Sequence, residues 1–280
     1  MTPRATKTSR NRISSGRGKK APVESYSVTA KHYDAAYATK QDLVDLPFYL
    51  ELAKQSAGPV LEIACGTGRV LLPIAREGIQ IDGVDNSLPM VRVLKSHIEN
   101  EPAQIRRRIT FHQGDMRHFR LRKKFPLVII PFRPLQHMYT LQDQLNALTT
   151  AAFHLQKKGI LAFDVFYPKM ERIPAGIGQE ILELEWQADS DSIVRRYFRK
   201  DSVDKINQVF SFTFIFRIYQ GDKLVHEESE PLKLSYYTYP HLKALFRLAR
   251  LQSVAEYGSF AKTPLDNTAE QMIFLLKKAD

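Results

Sequence analysis

Val60-Leu61-Glu62-Ile63-Ala64-Cys65-Gly66-Thr67-Gly68 is the stretch on which the reading of this 280-residue chain turns. A short apolar run breaks into two glycines, and Val70, Leu71, Ile74 and Ala75 then recur at helical spacing as far as Gly78. A strand that bends through glycine into a helix lets its backbone approach a ligand closely, because glycine has no Cβ to collide. A dinucleotide fingerprint would need a third glycine where Leu71 stands, and no GxxxxGK[ST] loop exists for a nucleoside triphosphate. A plain tight turn is the rival reading of the motif by itself.

Downstream, apolar runs alternate with helical periods, as a parallel α/β sheet requires. Ile79–Val84 reads as the second strand, and Val91, Leu94 and Ile98 mark the next helix. Ile109–His112 reads as the third strand. The Leu127-Val128-Ile129-Ile130 run has the continuous apolarity of a strand buried on both faces. A helix carrying Leu145, Leu148, Ala152 and Leu155 leads to a fifth strand at Gly159–Val165. The texture then changes to β-like runs at Ile193–Phe198, Val209–Ile218 and Leu224–Leu234, with Phe210, Phe212, Phe214 and Phe216 on one side of the second. Pro240 opens a last helix, and strands near Ser253–Tyr257 and Gln271–Leu276 close the order. The expected architecture is α/β, a Rossmann-like seven-stranded sheet with an inserted small antiparallel β-sheet lid. Its expected divisions are a disordered basic tail over 1–22, a main domain over 23–168 and 235–280, and the insert over 169–234.

Asp85 stands 19 residues after Gly66, at the end of the second strand. A carboxylate there can accept from both ribose hydroxyls, although a helix N-cap would also explain it. After the third strand comes Gln113-Gly114-Asp115-Met116, where Asp115 could take an adenine amino group and Met116 pack on the ring. A surface turn accounts for that segment equally well.

Together these pieces resemble the class I S-adenosylmethionine-dependent methyltransferases, from about Tyr26 to the end. The resemblance implies cofactor contacts at Glu62, Ala64, Gly66, Gly68, Asp85, Asn86, Asp115 and Met116. Glycine usually stands where this chain has Ala64. Outside the turn the chain looks like a bacterial subgroup of small-molecule N-methyltransferases, the amino-sugar and glycine-type enzymes. Ala30-Lys31-His32-Tyr33-Asp34-Ala35-Ala36-Tyr37 resembles the subgroup's YDxxY segment, which implies Tyr33 and Tyr37 folded over the cofactor. Phe132-Arg133-Pro134-Leu135-Gln136-His137-Met138 falls where the subgroup lines its acceptor site. His137 is therefore the candidate proton acceptor, and Arg133 and Gln136 are candidate acceptor contacts. Leu155–Leu161 matches the hLxPGG turn with lysines for Pro and Gly. Tyr236-Tyr237-Thr238 fits the subgroup's ending, with Tyr237 a candidate acceptor contact. No Asn/Asp-Pro-Pro-aromatic sequence follows the fourth strand, against amide or adenine methylation.

The formal charge of +11 suggests nucleic acid until it is located. Seven Lys/Arg and no acid lie in residues 1–20, and without them 34 basic residues face 30 acidic ones, a balance of +4. That stretch is too polar to fold. A single cysteine excludes a disulfide framework and fits a cytoplasmic protein. No apolar run reaches membrane-spanning length, the start lacks a secretory signal, and no metal-ligand spacing occurs. The expected activity is transfer of a methyl group from S-adenosylmethionine to a small-molecule N or O acceptor, leaving S-adenosylhomocysteine. The competing readings are a ribosomal or transfer RNA methyltransferase using the basic tail, and a cofactor-binding pseudoenzyme.

Overall fold

The structure, a computed structural model, describes residues 26–39, 44–56 and 58–279. In chain order the elements are α1 (Thr29–Ala38), α2 (Asp45–Gln55), β1 (Val60–Ile63), α3 (Leu71–Arg76) and β2 (Ile81–Asp85). Then come α4 (Leu88–Asn100), α5 (Ala103–Arg106), β3 (Ile109–Gln113), β4 (Phe125–Ile130) and a 3₁₀ turn (Pro134–His137). They are followed by α6 (Leu141–His154), β5 (Leu155–Phe166), β6 (Glu180–Gln187), β7 (Ser192–Asp204), β8 (Val209–Gln220) and β9 (Lys223–Ser235). The chain closes with α7 (Tyr239–Leu248), β10 (Leu251–Tyr257) and β11 (Gln271–Lys278).

Seven strands form one sheet in the order β10-β11-β5-β4-β1-β2-β3, parallel except where β11 pairs antiparallel with β5 and β10. The α/β Rossmann-like fold expected from the strand order is therefore present, and β6–β9 make a separate four-stranded antiparallel sheet. Residues of β4 divide between the faces with period two. Val128 and Ile130 pack with Leu148 and Ala151 of α6 and Leu242 and Phe246 of α7. Leu127 and Ile129 pack with Phe48 and Tyr49 of α2 and Leu71 and Ile74 of α3. Each fully buried Leu, Ile or Phe contributes roughly 1.5–3 kcal/mol, so both helical layers are firmly seated.

Two elements differ from the sequence reading. No PGG-like turn precedes β5: the strand starts at Leu155 directly after α6, and the ladder with β4 skips from Phe125↔Leu155 to Leu127↔Ile160. The extra residues, including Lys157 and Lys158, are absorbed as a bulge. Gly159 is needed there because a Cβ would lie 2.8 Å from the Phe125 carbonyl oxygen. The second difference is β6, which pairs with β7 and carries its own register shift between Leu182 and Leu184. The phenylalanine ladder of β8 is core, with Phe210 and Phe212 in one buried cluster and Phe216 in another. The tail over residues 1–22 lies outside the described residues. Among the described residues no helix is long and apolar enough to cross a membrane.

Candidate active site

The carboxyl ends of β1 and β2 build the centre. Ala64, Gly66 and Gly68 all stand in the left-handed region, at φ 59°, 55° and 92°. Where Gly66 would carry a Cβ, no atom lies within 4 Å, so space opens above the turn. At Gly68 the added carbon would meet Leu94 at 2.6 Å, so this glycine lets α4 pack close. Asp85 holds the turn in place: its Oδ2 accepts from the Gly66 N–H at 2.8 Å and its Oδ1 from the Ser87 N–H at 2.7 Å. Burial raises the Asp85 carboxyl, against the backbone N–H groups of Ser87, Gly66 and Asn86. The helix after β2 has Ser87, not Asp85, at its N-cap position. Each Asp85 oxygen keeps a further lone pair for a hydroxyl donor. Asn86 is exposed beside it.

Glu62 is 2% exposed and its Oε2 has no hydrogen-bond partner. Burial pushes this carboxyl well above its usual range. An orphaned buried oxygen of this kind calls for a donor, ideally a cationic one. Open space over Gly66, the spare acceptors of Asp85 and the unfilled Glu62 together fit a ligand with vicinal hydroxyls at one end and an ammonium at the other. S-adenosylmethionine has that chemistry. Asp115 is engaged already: its carboxylate takes the Arg117 backbone N–H and guanidinium. Those bonds outweigh burial and hold it below the usual range. Met116 is buried in the core with Val84 and Phe119.

Helix α1 is fastened over the turn. Asp34 accepts from the Thr67 hydroxyl at 2.8 Å. The Tyr33 and Tyr37 rings lie 4.5 Å apart, and Tyr37 meets Phe132 edge-on at 5.1 Å. Arg69, paired with Asp45 through both terminal nitrogens, spreads over the Phe132 ring at 4.6 Å. Tyr33 and Tyr37 thus reach the rim of the turn, next to the loop after β4.

That loop is strained. Phe132 and Arg133 have consecutive left-handed backbones, φ 68° and 70°, which non-glycine residues adopt at a cost. Buried Asp164 steadies it, its Oδ1 accepting from the Phe132 N–H at 2.8 Å and the Tyr49 hydroxyl at 2.7 Å. Burial raises the Asp164 carboxyl to about 6. The Arg133 Nε is buried without a partner.

His137 follows at the end of the 3₁₀ turn, and its Nε2 lies 2.6 Å from the Tyr26 hydroxyl. The Lys233 backbone also acts on the ring, raising it against burial; in the tautomer with the proton on Nδ1, Nε2 accepts from Tyr26. Burial lowers the imidazole to about 4, and it is neutral at pH 7. Tyr26 escaped the sequence reading, because its partner lies 111 positions away. Gln136 is fully buried and bridges the sheets: its Nε2 donates to the Ser235 carbonyl at 2.7 Å and its Oε1 accepts from the Phe166 N–H at 3.1 Å. Tyr237 is fully buried too, donating to the Leu135 carbonyl at 2.7 Å. Among the described residues no cluster of three or more His, Cys, Asp or Glu could hold a metal.

Residues 60–159 match the family model described as a methyltransferase domain. This span, about a third of the chain, is similar to a methyltransferase domain. It holds the glycine turn, Asp85, Asp115 and His137. The chain is 28% identical over 130 residues to a dTDP-3-amino-3,4,6-trideoxy-alpha-D-glucopyranose N,N-dimethyltransferase of Streptomyces venezuelae, covering 46% of this chain and 50% of the relative. A dTDP-3-amino-3,6-dideoxy-alpha-D-glucopyranose N,N-dimethyltransferase of Streptomyces fradiae is 25% identical over 143 residues, covering 49% of this chain and 53% of that protein. The match spans about half the length of these curated relatives. Among solved structures, the CcbJ methyltransferase from Streptomyces caelestis superposes with a TM-score of 0.75 at 20% identity, over 92% of this chain and 99% of that one. CalS10, an amino pentose methyltransferase from Micromonospora echinaspora solved with bound S-adenosylmethionine, gives 0.67 at 18%, over 87% and 95%. At these identities the superpositions establish the fold, and they extend well beyond residues 60–159.

Proposed function

We propose that the chain transfers a methyl group from S-adenosylmethionine to a nitrogen or oxygen of a small-molecule acceptor, an amine in the first instance. One observation carries this reading: the Gly66 turn, open where a Cβ would stand, is bonded to the Asp85 carboxylate, and the orphaned Glu62 oxygen lies close enough to Asp85 to feel its charge. The methyltransferase domain match over the same residues supports it, as do curated relatives named as sugar N,N-dimethyltransferases.

Asp85 would hold ribose hydroxyls, Glu62 the ammonium, and the Gly66–Gly68 backbone the methionine part, with Asn86, Met116 and Asp115 toward the base. S-adenosylmethionine, when bound, supplies an electrophilic sulfonium methyl group. For direct displacement the protein must align two reactants, which contributes up to roughly 7–11 kcal/mol of barrier lowering. Tyr33 and Tyr37 would offer aromatic faces to the cofactor's cationic centre, each contributing about 0.5–2 kcal/mol. Arg133 and the Phe132 loop would line the acceptor side. Gln136 and Tyr237 act from behind it by fixing the loop's position.

An amine must be neutral to attack, and it sheds a proton afterwards. His137 Nε2 is an unprotonated acceptor at neutral pH, and the Tyr26 hydroxyl marks where a donor sits relative to it. An acceptor N–H would take the place of that hydroxyl. Incubation with labelled-methyl cofactor and a cell extract, separated into metabolite, RNA and protein fractions, tests the acceptor class. Label is expected in the metabolite fraction and reduced by at least about 10²-fold in His137→Ala, the scale of general-base effects. Label confined to RNA or protein would contradict the reading.

A further inference from the structure

Arg196 belongs to a residue type almost never fully buried unless paired, yet it is 1% exposed. It projects from β7 on the side of Val194 and Phe198, opposite Phe216 of β8 in register. Its Nη2 donates to Glu183 at 3.0 Å. The guanidinium carbon lies 4.4 Å from the centre of the Phe214 ring and 5.3 Å from that of Tyr37. Two further nitrogens, Nε and Nη1, are enclosed with no hydrogen-bond partner. Arginine does not lose its proton in a protein, so burial cannot be relieved by neutralisation. Partly buried Arg69, by contrast, uses both terminal nitrogens on Asp45.

The place matters as much as the unfilled donors. Phe214 borders two apolar clusters, one with Phe210 and Phe212 and the other with Trp186 and Phe216, and Arg196 lies against this ring. It also lies near Tyr37, the α1 ring that touches Phe132 of the acceptor-side loop. Arg133, next along that loop, holds a second buried nitrogen without a partner. In-plane guanidinium donors are matched by carboxylate or phosphate oxygens. Glu183 already supplies one negative charge through a single nitrogen, so the locus works by directed donors rather than by excess charge.

We propose that Arg196 forms an anion-binding subsite beneath α1 that takes a carboxylate or phosphate carried by the acceptor; the assignment to an acceptor rests on the methyl-transfer reading. The probes are sodium acetate and sodium phosphate, titrated at constant ionic strength against sodium chloride. Binding is followed on the arginine Nε–H resonances of the full chain, with and without saturating S-adenosylhomocysteine. The Arg196 resonance, assigned by its absence in Arg196→Lys, is expected to shift saturably with acetate or phosphate and not with chloride. The anion that saturates first separates a carboxylate-bearing from a phosphate-bearing acceptor. Calorimetric anion affinity should fall at least tenfold in Arg196→Gln, and S-adenosylhomocysteine affinity should stay within twofold. A resonance that ignores both anions overturns the proposal. Anion binding unchanged in Arg196→Gln also overturns it. A parent protein that fails to bind S-adenosylhomocysteine defeats the methyl-transfer reading instead, and the anion titration still decides the role of Arg196.

Discussion

Ala64 holds φ 59° immediately before the glycine turn, in a conformation that costs an L-residue with a Cβ roughly 1–2 kcal/mol. Glycine would remove that strain while adding about 0.4–1 kcal/mol of unfolded-chain entropy to be lost. Ala64→Gly is therefore expected to be neutral or stabilising by up to about 1 kcal/mol in urea melts, with cofactor affinity unchanged. Clear destabilisation would mean that the methyl group packs on something the turn needs. His137 offers a second residue-scale test. Its folded value near 4 lies below the ordinary 6.5, so between these values the unfolded chain binds a proton that the folded one refuses. Its contribution is complete above pH 6.5 and is lost as pH falls toward 4. The ring resonances should titrate near 4, and His137→Gln should flatten that part of the stability–pH curve. A midpoint near 6.5 would place the ring in water. Local signals carried the glycine turn and Asp85, because strand, bend and carboxylate sit within one βαβ unit. The Tyr26–His137 and Asp164–Phe132 contacts join distant segments, and nothing in the neighbouring sequence announces them.

Helix α1 shows the same division at the level of an element. Its Tyr33/Tyr37 spacing was legible, but its fastening to the antiparallel sheet was not. The Val28 and Thr29 N–H groups donate to buried Glu230 at 3.3 and 2.9 Å, His32 stacks on Phe216 at 4.7 Å, and Lys31 and His32 both reach Glu228. Glu230 serves the free N–H groups at the helix start from 201 residues away. Glu230→Ala should cost about 0.5–2 kcal/mol, the range for a lost helix cap. Hydrogen-exchange protection should fall in α1 and hold in β1, β4 and β5. Uniform loss across all of them would mean that α1 is part of the global core rather than a separable cover. Strand β6 was missed for a related reason: its register shift interrupts the alternation, and three glutamates over Glu180–Gln187 and Gln179 just before it read as solvent-facing.

Across the whole molecule, the acceptor side depends on how the two sheets are joined. Gln136 spans that joint with both ends of one amide, tying Ser235 at the end of β9 to Phe166 at the end of β5. Gln136→Leu would strand the buried Ser235 carbonyl and the half-buried Phe166 N–H, at up to about 1–3 kcal/mol each. The variant should lose stability on that scale and lower turnover without a matching change in cofactor affinity. The parallel sheet was readable because each of its strands is a short apolar run bounded by a break. The joint was not, since its meaning arises only when residues 136, 166 and 235 meet. The central claim, that the ends of β1 and β2 form an adenosine-shaped cleft, is tested most directly by calorimetry with S-adenosylhomocysteine on the parent chain and Asp85→Ala. One molecule per chain is expected to bind the parent. Affinity should fall roughly 10–150-fold in the variant, the loss of about 1.5–3 kcal/mol for a hydrogen bond to a charged group, while circular dichroism shows the fold retained. No binding by the parent, or equal binding by a folded Asp85→Ala protein, would contradict it.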